Sequence, residues 1–340
     1  MTTVLRIISA KVRYNLSKLR ILVVELLMPI LPHSTSKLYD CFLFNNELDL
    51  LELRLTELYS SVNYFVICEC AVTFSGEPKP LYYLLNQARF VSFKDKIKHF
   101  IIPNPPAEAY TVNPINKDKK TSQFWQRNQM ALAIQATKEN DLILISDVDE
   151  IPRARVLARV VKLCSFAKTI VFFSQSWFLL FLDVRVARRE QVVFASNERT
   201  KNKNNAKWLG TFACTAKLLR NGYRGNVNGI WSMKWGDHHL KYPIVEDAGW
   251  HFSYMGGMNG LFTKVHANGM HAYSNKHIQD LRQGKFLECI LKVETIGENH
   301  PEELRDHPQS WNHLLIKQNS LAELASLLEA SLSSHDAKEV

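Results

Sequence analysis

Residues Asp141 to Arg153 read DLILISDVDEIPR, and the fold turns on how that stretch is understood. Leu142, Ile143, Leu144 and Ile145 are apolar on both faces, the pattern of a strand buried within a parallel sheet. The strand then meets Asp147, Val148, Asp149 and Glu150, and Pro152 is expected to stop it. Open α/β sheets bind ligands at the carboxyl ends of their strands, so three acids directly behind so apolar a strand mark a site rather than a solvated turn. Asp147 and Asp149, two residues apart, can present oxygens to one divalent cation, and Mg²⁺ or Mn²⁺ prefers oxygen ligands. Such an ion would serve a diphosphate.

Strand and helix patterns alternate before that point. Lys37 to Asn45 reads as a first strand. Leu48, Leu51, Leu55 and Leu58 follow at helical spacing, with Glu47, Asp49 and Glu52 near the positive end of the helix. Tyr64–Cys70 is a second strand, Leu81 to Phe90 a short helix and His99 to Ile102 a third strand. Pro103 to Lys120 reads as a surface loop ending in a Lys117-to-Lys120 cluster. A helix capped by Thr121 or Ser122 then runs to near Asn140. This rhythm predicts a single α/β domain, a mostly parallel sheet with helices on both faces. Beyond Pro152 the reading is looser: a helix over Arg155 to Cys164, a strand over Ile170 to Phe173, an aromatic stretch from Ser176 to Phe181, a strand at Gln191 to Ala195 and a solvated loop from Arg199 to Lys207.

The composition is that of a globular chain, 46% hydrophobic and 22% charged over 340 residues. A formal charge of +9 favours anionic partners. No zinc finger or RNP-like aromatic motif accompanies it, so no nucleic-acid partner is expected. The six cysteines sit mostly in apolar segments and read as reduced core thiols of a cytoplasmic protein. Lys11, Arg13, Lys18 and Arg20 precede an apolar run, Ile21 to Leu31, broken by Glu25 and Pro29. That run is too short to span a bilayer but suits a helix lying on an anionic membrane face or packed on the domain. One N-x-S sequon stands at Asn15.

The segment Ala248 to Tyr254 (AGWHFSY), followed by Gly256 and Gly257, adds the deciding pattern. With YDCFLFNNELDLLELRLTELY, FVICECAVTFSGEPKPL, FWQRN and ISDVDEIPR, in that order, it resembles glycosyltransferase family 17 over roughly Leu38 to Asn275. The resemblance implies a GT-A, Rossmann-like fold, inversion at the anomeric carbon and a nucleotide-sugar donor, UDP-GlcNAc in the animal members. It also implies a divalent metal, Mn²⁺ or Mg²⁺, carried onto Asp147 and Asp149, and a glycan or lipid-linked saccharide as acceptor. It divides the chain into an N-terminal extension (1–36), a transferase domain (37–300, with the donor half at 37–152 and the acceptor half at 153–300) and a helical tail (301–340). Residues 1–36 hold no anchor of about 20 apolar residues. The expected member is therefore bacterial in type, without a luminal stem, and peripheral at the inner face of a membrane. Residues 185–235 match the family loosely apart from WLGT at Trp208 to Thr211.

Individual residues follow. Inversion needs a base, for which Asp247 and its neighbour Glu246 are the candidates. His251 can ligate the metal or donate to a phosphate, and Trp250 either stacks on a sugar face or fills the core. Gln123 and Arg127 share a helix face, from which Arg127 can reach the donor. Glu69 either hydrogen-bonds the nucleoside or pairs with Lys79 or Arg127, and Asn45, Asn46 and Glu47 either line the uridine pocket or cap the helix that follows. His271 is a weaker phosphate candidate, and Glu150 either joins the site or opens the next helix. No P-loop or GxGxxG is present, so the phosphates need a metal and basic side chains. Two rivals remain: a DxD-dependent phosphoryl or nucleotidyl transferase, and a non-catalytic carbohydrate-binding protein.

Overall fold

Side-chain alternation along the first strands sorts the molecule into layers. In the computed structural model, β1 (Leu38–Phe44) leads through α1 (Leu48–Leu58) to β2 (Tyr64–Cys70), and β3 (Ile97–Ile102) leads through α2 (Thr121–Ala133) to β4 (Leu142–Asp147). The four strands are parallel, in the order β4-β1-β2-β3. On one face Phe42, Phe65, Leu142 and Leu144 pack against Leu51, Leu55 and Leu58 of α1. Each of these three leucines is fully buried, which stabilises the fold by about 1.5–3 kcal/mol apiece. On the other face Cys41, Val66, Cys68, Ile143 and Ile145 pack against Met130 of α2. The α/β sheet with helices on both faces is therefore present as the sequence predicts.

The second half keeps the sheet but not its direction. After β4 the chain forms β5 (Glu150–Pro152), the helix α3 (Leu157–Lys162) and β6 (Val171–Leu179). It continues through β7 (Val184–Val186), β8 (Lys207–Thr215), α4 (Val227–Ser232), β9 (Ile244–Val245), β10 (Gly249–Ser253), the helix α5 (Gly257–Ala267), β11 (Leu291–Val293) and α6 (Glu302–Asp306). Strand β8 lies between β4 and β6 and is antiparallel to both, so the parallel region ends at β4. Strand β10 runs parallel to β6 and antiparallel to β5.

Several expectations are corrected here. Pro152 does not end the extended chain. It sits in β5, whose only strand partner among the described residues is β10, so the missing proline N–H costs no second ladder there. Glu150 consequently opens no helix. The predicted strand at Ile170 and the aromatic stretch after it are one strand, β6, and α2 stops at Ala133 rather than near Asn140. Gly249 lets β10 approach β5: its φ is +142°, and a Cβ there would stand 2.1 Å from the Ile151 carbonyl oxygen.

The structure describes residues 16, 18–32, 34–110, 121–187, 207–234, 238–267 and 291–316. The Lys117-to-Lys120 cluster, the Gln191-to-Ala195 strand, the polar loop from Arg199 up to Lys207, His271, Cys289, Asn15 of the sequon and residues 317–340 of the tail lie outside them. Cys41, Cys68, Cys70, Cys164 and Cys214 are buried and unbridged.

Candidate active site

The same alternation that builds the layers aims the acidic turn. Ser146 follows Leu142 and Leu144 onto the α1 face, whereas Asp147 follows Ile143 and Ile145 onto the α2 face. On the α1 face stands Arg54, fully buried with Asp40 of β1. Its Nε and Nη2 donate to the Asp40 carboxylate at 2.8 and 2.6 Å, and Nη2 also donates to the Ser146 hydroxyl at 2.7 Å. Its Nη1 donates to the carbonyls of Asp147 (3.0 Å), Val148 (3.3 Å) and Glu150 (3.0 Å). One guanidinium thus holds the whole turn from behind.

In front of the turn each acid has its own cation. Arg127 of α2 donates to both Asp147 oxygens, at 2.9 and 3.0 Å, and its guanidinium lies 3.9 Å from the Trp231 ring centre. Asp149 is buried and ion-paired with Lys264 of α5, whose Nζ is also 3.5 Å from Glu47. Burial pushes the Asp149 carboxyl up to about 7, against the pull of Lys264. Burial alone would lower the Lys264 ammonium, but Asp149 and Glu47 outweigh it and raise it, so the ammonium stays charged. Glu150 is enclosed: it accepts from Trp208 Nε1 at 2.7 Å, from Lys234 Nζ at 3.3 Å and from the Asp147 N–H at 3.1 Å. Burial works to raise its carboxyl, yet Lys234, Trp208 and that N–H hold it below the ordinary glutamate range.

These groups open onto a cavity whose far wall is aromatic. Trp208 of β8 stacks on His251 of β10 with ring centres 4.4 Å apart and planes 8° from parallel, and Trp177 of β6 lies 5.5 Å from Trp208. The His251 ring is bonded to the Ser253 hydroxyl, and its Nδ1 is 3.8 Å from Asp149. Burial, then Lys264 and Lys234, hold its imidazole well below the ordinary range, so it is neutral. The enclosed part takes about 190 Å³ and includes Asn45, Glu47, Lys79 and Gln126 in its lining.

Of the predicted residues, the structure brings Asn45, Glu47, Asp147, Asp149 and His251 to this cavity, with Arg127 one contact behind Asp147. Glu150 and Gln123 line it too, but Asp247, Glu246, Trp250 and Glu69 do not. Asp247 is half-exposed and ion-paired with Arg153 (3.0 Å) and Arg155, and Glu246 is paired with Lys207 (2.6 Å); neither lines the cavity. Trp250 faces away from His251 into a core with Ile151, Phe178 and Phe252, because neighbours on a strand point to opposite faces. Glu69 is fully buried behind the wall, where Lys79 (3.4 Å), His99 (3.1 Å) and the Tyr83 N–H surround it. The sequence reading missed Asp40, Arg54, Trp177, Lys234 and Lys264, and valued Trp208 only as part of WLGT. A lone Asp in an apolar strand and a lone Arg in the leucine helix beside it were the available signal for the first two.

A divalent ion does not fit these residues as they stand. The two aspartates are already neutralised by Arg127 and Lys264, and among the described residues no three His, Cys, Asp or Glu side chains gather closely enough to hold a metal.

Comparison with known proteins agrees with the motifs. Residues 30–191 match the model for glycosyltransferase family 17. That stretch is similar to the family over 162 of the 340 residues. The matched segment contains the acidic turn, Arg54, Arg127 and Trp177, while Trp208, His251 and Lys264 come after it. The β-1,4-mannosyl-glycoprotein 4-β-N-acetylglucosaminyltransferase of Homo sapiens is 31% identical over 110 residues, 32% of this chain, and the Rattus norvegicus protein of that name is 31% identical over the same length. The chain spans 20% of the length of these curated relatives. A mannosyltransferase from Pyrobaculum calidifontis, solved in complex with GDP-Man and Mn²⁺, aligns over 97% of this chain and 86% of its own at 13% identity, with a TM-score of 0.37. That overlap is too loose to say anything of the site.

Proposed function

We propose that this protein is an inverting glycosyltransferase that moves a sugar from a nucleotide-sugar to a hydroxyl of a glycan or lipid-linked saccharide. The observation that carries it is one cavity joining the DVDE turn and its cations to the Trp177–Trp208–His251 wall. A transferase of this kind must neutralise a leaving diphosphate and seat a sugar ring, and the two walls meet those demands separately. The donor diphosphate is placed beside Lys264 and Lys79, with Asn45 and Glu47 toward the nucleoside. UDP-GlcNAc is the donor that the family likeness favours. The acceptor is placed against Trp177 and Trp208; the buried Trp177 indole N–H has no hydrogen-bond partner among the described residues and suits a saccharide oxygen.

In the reaction the acceptor oxygen attacks the anomeric carbon from the face opposite the diphosphate. The carbon–oxygen bond to the diphosphate breaks, its electron pair stays with the phosphate oxygen, and the hydroxyl proton passes to a carboxylate in the cavity. Asp247 and Glu246, outside the cavity, are not needed for it. A donor screen that measures UDP and GDP release in the presence of saccharide acceptors tests the reading. Release that depends on Asp149 and Trp208 supports it, and release of neither nucleotide with any donor refutes it.

We also propose that the N-terminal segment touches a bilayer. Among the described residues no helix is long and apolar enough to cross a membrane. The helical residues 18–27 and those just after them expose Leu19, Leu22, Leu26 (71%) and Ile30 (78%), with Lys18 and Arg20 beside them. Val24 on the opposite side is buried in the core. An outward apolar stripe flanked by cations suits an anionic lipid surface. Flotation with phosphatidylglycerol vesicles should be lost in Leu26→Glu; equal flotation of both proteins refutes the contact.

A further inference from the structure

Lys264 owes its place to the two glycines that begin α5. Gly256 and Gly257 have φ of +93° and +66°, and their N–H groups both donate to the Leu180 carbonyl, at 3.1 and 3.0 Å. That turn brings α5 back over the cavity. From there Lys264 puts its ammonium against Asp149 and within 3.5 Å of Glu47, and 5.8 Å from the Tyr254 ring centre. A buried carboxylate requires a partner, and here the partner is an amine of the chain itself.

We propose that Lys264 is the resident counter-cation of the slot formed by Asp149 and Glu47, and that a divalent cation such as Mn²⁺ binds this slot only in competition with it. A divalent ion prefers carboxylate oxygens at about 2.0–2.6 Å, and the ammonium already pairs with Oδ2 of Asp149 and lies 3.5 Å from Oε1 of Glu47. Both cations cannot share the slot, because each would meet the other's charge with little water between them. The proposal deepens the transferase reading by assigning the cation beside the diphosphate. Mn²⁺ binding is read directly and without donor, so failure of this proposal is distinguishable from failure of sugar transfer.

The test is a titration of the full chain with Mn²⁺ alone, free Mn²⁺ being followed by electron paramagnetic resonance. Lys264→Met, which removes the charge and keeps most of the bulk, should lower the Mn²⁺ dissociation constant at least tenfold. Lys264→Arg, which keeps the charge, should leave it near the wild-type value, and adding Asp149→Asn to Lys264→Met should abolish the gain. Lys264→Gln serves in place of the methionine variant if that one does not fold, judged by circular dichroism. An unchanged constant in the neutral variants, an equal gain in Lys264→Arg, or a gain that survives Asp149→Asn overturns the proposal.

Discussion

Replacing Arg54 by Met would remove the guanidinium that holds the acidic turn from the α1 side. Arg54 and Asp40 are both 0% exposed, so the substitution leaves a carboxylate buried without its cation. It also leaves the Ser146 hydroxyl and the carbonyls of Asp147, Val148 and Glu150 without that donor. Removing one partner of a buried ion pair costs about 3–5 kcal/mol, a large part of the roughly 5–15 kcal/mol that holds a folded domain together. Urea unfolding followed by tryptophan fluorescence should therefore show a much lower midpoint for Arg54→Met. Arg54→Lys should also fall, because an ammonium keeps the charge but cannot fork to Asp40 and reach the carbonyls together. The double variant Arg54→Met, Asp40→Leu removes both charges and should recover most of the lost stability, while sugar transfer stays impaired because the turn has lost its donors. A cost below about 1 kcal/mol for Arg54→Met, or a double variant as unstable as the single one, would refute the reasoning.

Three further outcomes follow from the site and its surroundings. Trp208→Ala removes the ring stacked on His251 and the N–H donated to Glu150; transfer should fall about tenfold or more in kcat/KM, near 1.4 kcal/mol, and an unchanged value would exclude the aromatic wall as a sugar platform. Asp247→Asn should leave transfer within about twofold of wild type and cost no more than about 1 kcal/mol of stability, since its ion pairs are half-exposed; a loss of a hundredfold or more would restore it as the base. His300 adds a pH dependence. Burial holds its imidazole down to about 4, and its unprotonated Nδ1 accepts from the Gly297 N–H. The unfolded chain takes up that proton more readily, so this stability is present above about pH 6.5 and lost as pH falls toward 4, roughly 3 kcal/mol in all. His300→Gln should flatten that acid limb in unfolding curves taken between pH 7 and 4, and an unaltered limb would count against the assignment.

Much of the donor half was legible because its signals are local and periodic. Leu51, Leu55 and Leu58 declared a helix, and the unbroken apolar run before Asp147 declared a strand covered on both sides. The position of Asp147 and Asp149 at that strand's end followed directly. Long-range pairing was not legible. Nothing near Asp149 announces Lys264, 115 residues later, and nothing near Glu150 announces Trp208 or Lys234. Asp247 looked like a base because it precedes Gly249 by two residues, but a positive φ of 50° at Asp247 turns it outward to Arg153 and Arg155. Trp250 could have been set aside earlier. If His251 faces the site from a strand, its neighbour faces the core.

The reversal of strand direction between β4 and β8 bears on how such an enzyme can change its preferences. In the proposed function the diphosphate is handled at a turn that Arg54 clamps from the α1 side, whereas the sugar ring is given to Trp177, Trp208 and His251 on β6, β8 and β10. The two meet at Glu150, which accepts from Trp208 while its own carbonyl accepts from Arg54. On that proposal, substitutions at Trp177 should reshape saccharide selectivity without touching the turn assigned to the leaving diphosphate. A change at Trp208 is felt by both, so selectivity has one adjustable partition and one shared hinge-pin, and a library seeking new acceptors is best begun at Trp177.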